Sequence, residues 1–279
     1  MNQEVRAEQL TGGLGNELAS PYWSSRLGAL RFADRDGGDI LTLDKRGAVH
    51  RRWSGAAIVS LVRPRAEGGV LVVTDRALSI ASRDDLADLQ PWGSLLADSR
   101  QRFVTGTCSP TGRLYLGTVA YGRTPGIAMV YRLDAGEATG RHVVAGLTSV
   151  GGVAWSPDQT LCYVLDDGVV SAFDYHPHHS ISDQRELFPS MFGAADGLQV
   201  DADGGLWLCH TEAGLLVRHG AQGDVTELVD LPGVTACAFG GPHLTQLYCL
   251  AEGAVWCLEP GVKGLPVLPF RGEFPRHSP

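Results

Sequence analysis

One pattern recurs along the chain: an apolar strand, a turn rich in Pro, Asp and Gly, a second apolar strand, then a third. The clearest copy is Trp155-Ser156-Pro157-Asp158-Gln159-Thr160-Leu161-Cys162-Tyr163-Val164. Others are Thr107-Cys108-Ser109-Pro110-Thr111-Gly112 leading to Leu114-Tyr115-Leu116, Val200-Asp201-Ala202-Asp203-Gly204 leading to Leu206-Trp207-Leu208, and Phe239-Gly240-Gly241-Pro242 leading to Leu247-Tyr248. Tyr22-Trp23-Ser24-Ser25 leading to Ala29-Leu30-Arg31-Phe32 is a fifth, and Ile58-Val59-Ser60 leading to Val70-Leu71-Val72-Val73 is a degenerate sixth. Pro110 and Pro157 are 47 residues apart, Pro157 and Ala202 are 45, and Ala202 and Gly241 are 39. Such a period, with several short strands per unit, is the signature of propeller blades.

Six copies predict an all-β, six-bladed β-propeller with four-stranded antiparallel blades, spanning 1–279 as one domain. A single blade cannot bury both of its faces, so blades pack on one another around an axis. Further strands follow each copy, as at Ile40–Asp44, Met129–Asp134, Val169–Asp174 and Ala254–Leu258, and their alternation reads as half-buried outer strands. The first strand, Val5 to Leu10, is expected to complete the last blade and close the ring without an exposed edge. The 36 glycines fit many turns and disfavour long helices. Ala81 to Ser99 has weak helical spacing but contains Pro91, and reads as a loop.

A net charge of −8 makes nucleic acid a poor partner. No stretch approaches the ~20 apolar residues that span a bilayer, and the polar Met1–Arg6 start lacks a signal-peptide core. A cytoplasmic protein acting on a small molecule, with no membrane partner, is the expectation; the oligomeric state is open. Cys108, Cys162, Cys209, Cys237, Cys249 and Cys257 form no CxxC pair, so buried free thiols are expected rather than a structural zinc site. No GxSxG, P-loop or HExxH motif occurs, and Gly12-Gly13-Leu14-Gly15 opens no helix.

With these motifs in this order, the sequence resembles the regucalcin/gluconolactonase (senescence-marker-protein-like) family over nearly its whole length. The resemblance rests on Ser20-Pro21-Tyr22-Trp23, Arg102-Phe103, Ala154-Trp155-Ser156-Pro157-Asp158, Asp196-Gly197-Leu198, Phe239-Gly240-Gly241-Pro242 and Pro260–Pro266. It implies a calcium or zinc ion in a central channel, held by a glutamate, an asparagine and an aspartate, polarising a lactone carbonyl and acidifying a water.

Position by position, the pattern is altered. The implied glutamate is Ala19, and Glu17 could replace it only through a re-routed loop. The implied asparagine is Gly151, and an Asn-Asp pair after Phe103 reads Val104-Thr105. Asp196 is retained as ligand or general base. Asp196 and Arg102 are therefore the candidate catalytic residues, Asp196 and Glu17 the candidate metal ligands, and Tyr121, His210, Thr105, Val104, Ala19 and Gly151 the candidate substrate contacts. His210 is read either as a blade-packing histidine or as a side chain that enters the channel and moves protons. His176, His178 and His179 read as a solvated outer turn between blades, and Asp166-Asp167 as solvated turn residues.

Three functions remain open at this point. One is a gluconolactonase-like hydrolase acting on a lactone or related ester, with or without metal. Another is a propeller repurposed for a less polar metabolite, since Ala19, Gly151 and Val104 remove polar groups. The third is a non-catalytic interaction propeller.

Overall fold

The computed structural model describes residues 6–137 and 139–272. It contains six four-stranded antiparallel sheets arranged as blades in a ring, and no helix among the described residues. The innermost strands, in blade order, are Leu18–Ser24, Leu61–Pro64, Gln101–Cys108, Val150–Trp155, Gly197–Val200 and Val234–Gly240. Second strands are almost wholly buried, as at Ala29–Asp34, Leu114–Ala120 and Leu206–His210. The outermost strands are largely exposed, as at Val49–Trp53 and Gln90–Ser94. Apolar residues therefore concentrate where each blade packs on its neighbours, and charge collects at the rim.

The strands at Asp39–Leu43, Ala128–Leu133 and Val169–His176, expected as outer strands, are the third of four, each with a polar fourth strand outside it. The expected loop at 81–99 contains one of those fourth strands, Gln90–Ser94. Pro91 fits there because an outermost strand has a free edge and can spare an N–H. The histidine turn lies within blade 4, between its third and fourth strands, not between blades; His176, His178 and His179 are exposed there.

The repeated turn has a physical cause. Its first residue carries a side-chain oxygen that accepts the backbone N–H four residues on: Ser109 from Arg113 at 3.1 Å, Ser156 from Thr160 at 3.2 Å, Asp201 from Gly205 at 2.9 Å. Such local bonds compete with regular structure and favour turns. Asp201, fully buried, also accepts from Trp207 Nε1 at 2.9 Å and Arg218 Nε at 2.7 Å, fastening the turn to the second and third strands of blade 5.

Aromatic rings join neighbouring blades. Trp23 stacks on Tyr248 between blades 1 and 6, Tyr115 meets Trp155 edge-on between blades 3 and 4, and Trp207 meets Phe239 between blades 5 and 6. The ring closes as expected: Glu8–Gln9 pairs antiparallel with Ala254–Leu258 and supplies the fourth strand of blade 6. Val5, the expected start of that strand, lies outside the described residues.

At the other terminus the chain crosses one end of the channel. Lys263 O accepts from Ala202 N in blade 5, Gly264 N donates to Leu244 O in blade 6, Phe270 N donates to Pro64 O in blade 2, and Arg271 N donates to Gly112 O in blade 3. Leu265–Leu268 cover the channel axis on the way. All six cysteines are unbonded; five are buried and Cys257 is partly so.

Candidate functional site

The inner strands converge on a central cavity of about 410 Å³. Crowding at the axis demands small residues. A Cβ on Gly152 would lie 2.4 Å from Leu198 Cβ, and one on Gly151 would lie 2.4 Å from Ala195 O. The inner strands of blades 1, 3, 4 and 6 are irregular where they meet the cavity, with register shifts at Ala19/Tyr22, Phe103/Thr105, Val150/Gly152 and Val234/Ala236. Such bulges re-aim side chains. Ser20, within the first of them, has φ 57°, a left-handed conformation that is costly for a residue with a side chain.

The structure brings most of the candidates together. Ala19 and Glu17 (blade 1), Arg102, Val104, Thr105 and Tyr121 (blade 3), Gly151 (blade 4) and Asp196 (blade 5) all line this cavity. Asp196 precedes the inner strand of blade 5, where its N donates to Cys209 O at 2.9 Å. Thr211 Oγ1 lies 2.7 Å from Asp196 Oδ2, and Oδ1 has no hydrogen-bond partner among the described residues. Two blades away stands Arg102. Its side chain is half-buried and makes no hydrogen bond or ion pair with a described residue; burial, followed by the nearby Arg35, pushes its pKa down. Tyr121, half-exposed, stands on the loop after Leu114–Ala120, with its N donating to Arg100 O at 2.8 Å.

His210 is placed elsewhere. It is fully buried between blade 5 and the connection from blade 4. Its Nδ1 lies 3.1 Å from Ala194 O, its Nε2 lies 3.2 Å from Ser190 Oγ, and its ring packs on Phe192. Burial holds its pKa down. The side chain follows the alternation of its strand to the blade face rather than to the axis. Asp166 accepts from Thr148 N and Ser149 N at 2.8 Å each, so it caps a turn rather than facing free solvent. Asp167 pairs with Arg123 at 2.6 Å.

Sequence reasoning missed three charged residues of the lining: Arg35, Arg63 and Arg123. Arg35 Nη1 holds Glu17 at 2.5 Å. Arg123 overhangs the mouth. Arg63 alone of the three also lines a smaller cavity of about 90 Å³, on the side that the C-terminal segment crosses. Four arginines thus face two carboxylates, Glu17 and Asp196, in a chain whose net charge is −8. Ala19, Val104 and Gly151 do remove polar groups, yet the expected less polar channel is instead a cationic one.

The same residues test the family's metal. A calcium ion takes six to eight oxygen ligands, and even a zinc ion needs three protein donors. Ala19 and Gly151 bring none, and the contact with Ala195 O leaves no room for a side chain at Gly151. Glu17 is neutralised by Arg35. Among the described residues no group of three His, Cys, Asp or Glu side chains is arranged to hold a metal ion. The donor set does not fit a divalent cation held in the family's manner.

Comparison with known proteins agrees with this architecture. Regucalcin of Danio rerio is 25% identical over 284 residues, covering 92% of this chain and 96% of that protein. A pentonolactonase of Haloferax volcanii is 27% identical over 240 residues, covering 84% and 80%. Among solved structures, a luciferin-regenerating enzyme superposes with a TM-score of 0.86 at 23% identity, covering 96% of this chain and 99% of that one. A family model described as SMP-30/Gluconolactonase/LRE-like region matches residues 19–253, and the chain belongs to that family.

Proposed function

We propose that this chain is a lactonase-type hydrolase whose central cavity uses Asp196 and a guanidinium rather than a resident metal. The observation that carries the reading is the pairing of functions in one cavity: a carboxylate with a free oxygen on blade 5, and an unpartnered guanidinium on blade 3. Its relatives include a pentonolactonase, which supports the reaction class.

In this reading a lactone enters past Tyr121 with its carbonyl oxygen toward Arg102. Asp196 Oδ1 takes a proton from a water as the water oxygen attacks the carbonyl carbon. Negative charge gathers on the carbonyl oxygen, where the Arg102 fork stabilises it. The ring C–O bond then breaks, and the proton held by Asp196 passes to the departing alkoxide, giving the hydroxy acid. The thiols and the buried His210 take no part.

Replacing Asp196 by asparagine keeps the shape and the Thr211 contact but removes the base. A loss of about 10²–10⁴ in kcat on a panel of lactones, with an unchanged fold by circular dichroism, is expected. Full activity of Asp196→Asn, or no lactone or ester hydrolysed by the parent protein, overturns the reading.

A further inference from the structure

Arg63 lines both cavities of the channel, and its surroundings are unusual. The side chain is only 8% exposed and carries no carboxylate partner among the described residues. Its Nε donates to Gly106 O at 2.9 Å, and its Nη1 donates to Ser20 Oγ at 2.7 Å and Val62 O at 2.8 Å, with Ser20 O at 3.2 Å. Every one of these acceptors is neutral. Nη2, with two protons, has no hydrogen-bond partner among the described residues, and both cavities open onto this residue. The nearest groups that could carry compensating charge are Cys108 and Tyr22. Burial pushes the Cys108 thiol up to about 12 and raises the Tyr22 phenol, so both are neutral at neutral pH.

A buried guanidinium is ordinarily matched by an anion, because desolvation strips it of hydration that neutral carbonyls only partly replace. Here the protein supplies the geometry but not the charge. Four anchoring bonds hold Nε and Nη1 and leave Nη2 free to meet a ligand in the cavity. The other cationic residues do not relieve the imbalance: Arg35 is matched by Glu17 and Arg123 by Asp167, while Arg102 adds a second unmatched charge at the wall.

We infer that Arg63 is a binding residue for a carboxylate on the substrate, so that the site takes lactones or esters bearing an additional carboxylate rather than neutral sugar lactones. The inference rests on the hydrolase reading for the reacting group. It adds that the carbonyl lies at the level of Arg102 and Asp196 while the carboxylate points inward to Arg63. A planar carboxylate matches a guanidinium edge, and its charge completes the pair that the fold leaves open.

A matched pair of γ-lactones tests this. 5-Oxotetrahydrofuran-2-carboxylate and 5-(hydroxymethyl)oxolan-2-one differ only in carboxylate against hydroxymethyl. The expected result is a kcat/KM preference of roughly 100-fold or more for the acidic lactone, collapsing to within about 3-fold in Arg63→Gln. Arg63→Lys should recover part of the preference, since it keeps charge but loses the fork; a purely structural Arg63 would lower both substrates equally.

A binding arm uses calorimetric titration of the acidic lactone into Asp196→Asn protein, where turnover does not interfere. Saturable binding that is absent for the hydroxymethyl twin supports the inference, even if the parent protein hydrolyses neither compound; in that case the hydrolase reading alone fails. Equal hydrolysis of both lactones, with the ratio unmoved by Arg63→Gln, overturns the inference and leaves the hydrolase reading intact. Absence of both binding and hydrolysis overturns the inference too. Should Arg63→Gln fail to fold, the parent protein's preference and the binding arm decide.

Discussion

Arg123 Nη2 and Asp167 Oδ1 stand 2.6 Å apart, and this pair ties the blade 3 loop that carries Tyr121 to a turn of blade 4 across the cavity mouth. The bond to Asp167 raises the Arg123 pKa. Both side chains are about half exposed, at 50% and 41%, so solvent screens the pair. Asp167→Asn should therefore change stability by less than ~0.5 kcal/mol in urea titrations. Its effect should fall on KM, which rises several-fold as the loop loosens while kcat holds.

Asp201 offers the opposite case. It is fully buried and receives Trp207 Nε1, Arg218 Nε and two backbone N–H groups. Asp201→Ala would strand the Arg218 guanidinium and the indole N–H together. A loss of ~3–5 kcal/mol is expected in chemical denaturation.

Gly151 stands where relatives of the family are expected to place a metal-binding asparagine. Reinstating Ala19→Glu and Gly151→Asn should not create a calcium site, because a Cβ at 151 meets Ala195 O at 2.4 Å. Gly151→Ala alone should cost ~1–3 kcal/mol through overpacking. Denaturation midpoints and calcium titration of the double variant check both expectations.

Two histidines in blade 5 set an acid limit. His210 and His219 are buried, and burial lowers both pKa values; His219 Nε2 has no hydrogen-bond partner among the described residues. A lowered folded pKa means that the unfolded chain binds more protons below the ordinary histidine value near 6.5. Stability is therefore full above about pH 6.5 and falls as pH drops toward the folded pKa values, by at most ~1.4 kcal/mol per pH unit for each histidine. Urea midpoints at pH 7.5 and 5.5 should show this fall, and His219→Leu should make it shallower.

The fold was legible because its turns repeat in sequence. Ser109, Ser156 and Asp201 make the same local bond, so Pro110, Pro157 and Ala202 share a spacing. Pro91 concealed a strand because a free outer edge tolerates proline where an inner strand would not. Asp196, Arg102, Val104, Thr105, Ala19, Gly151 and Glu17 were legible as cavity-lining positions because blade motifs index positions on and beside the inner strands, and Tyr121 because a Gly-rich loop carries it. Arg35 and Arg123 escaped because they project from a second strand's end and from a loop. Arg63 left a usable signal, an arginine between apolar residues in Leu61-Val62-Arg63-Pro64. His210 stayed open between channel and blade packing because the alternation of Leu206–His210 does not say which face it takes; it packs within the blade.

The C-terminal segment reaches from blades 5 and 6 to blades 2 and 3 across the far end of the channel. A propeller bore is otherwise a tube with two clear openings; here one of them is crossed by the chain's own backbone between 263 and 271. The two ends of the bore are therefore unequal: Tyr121 and the Arg123 tether stand at one, and a strap of main chain lies over the other. The molecule thus has a front and a back: one end that loops can reshape, and one that the terminal segment braces.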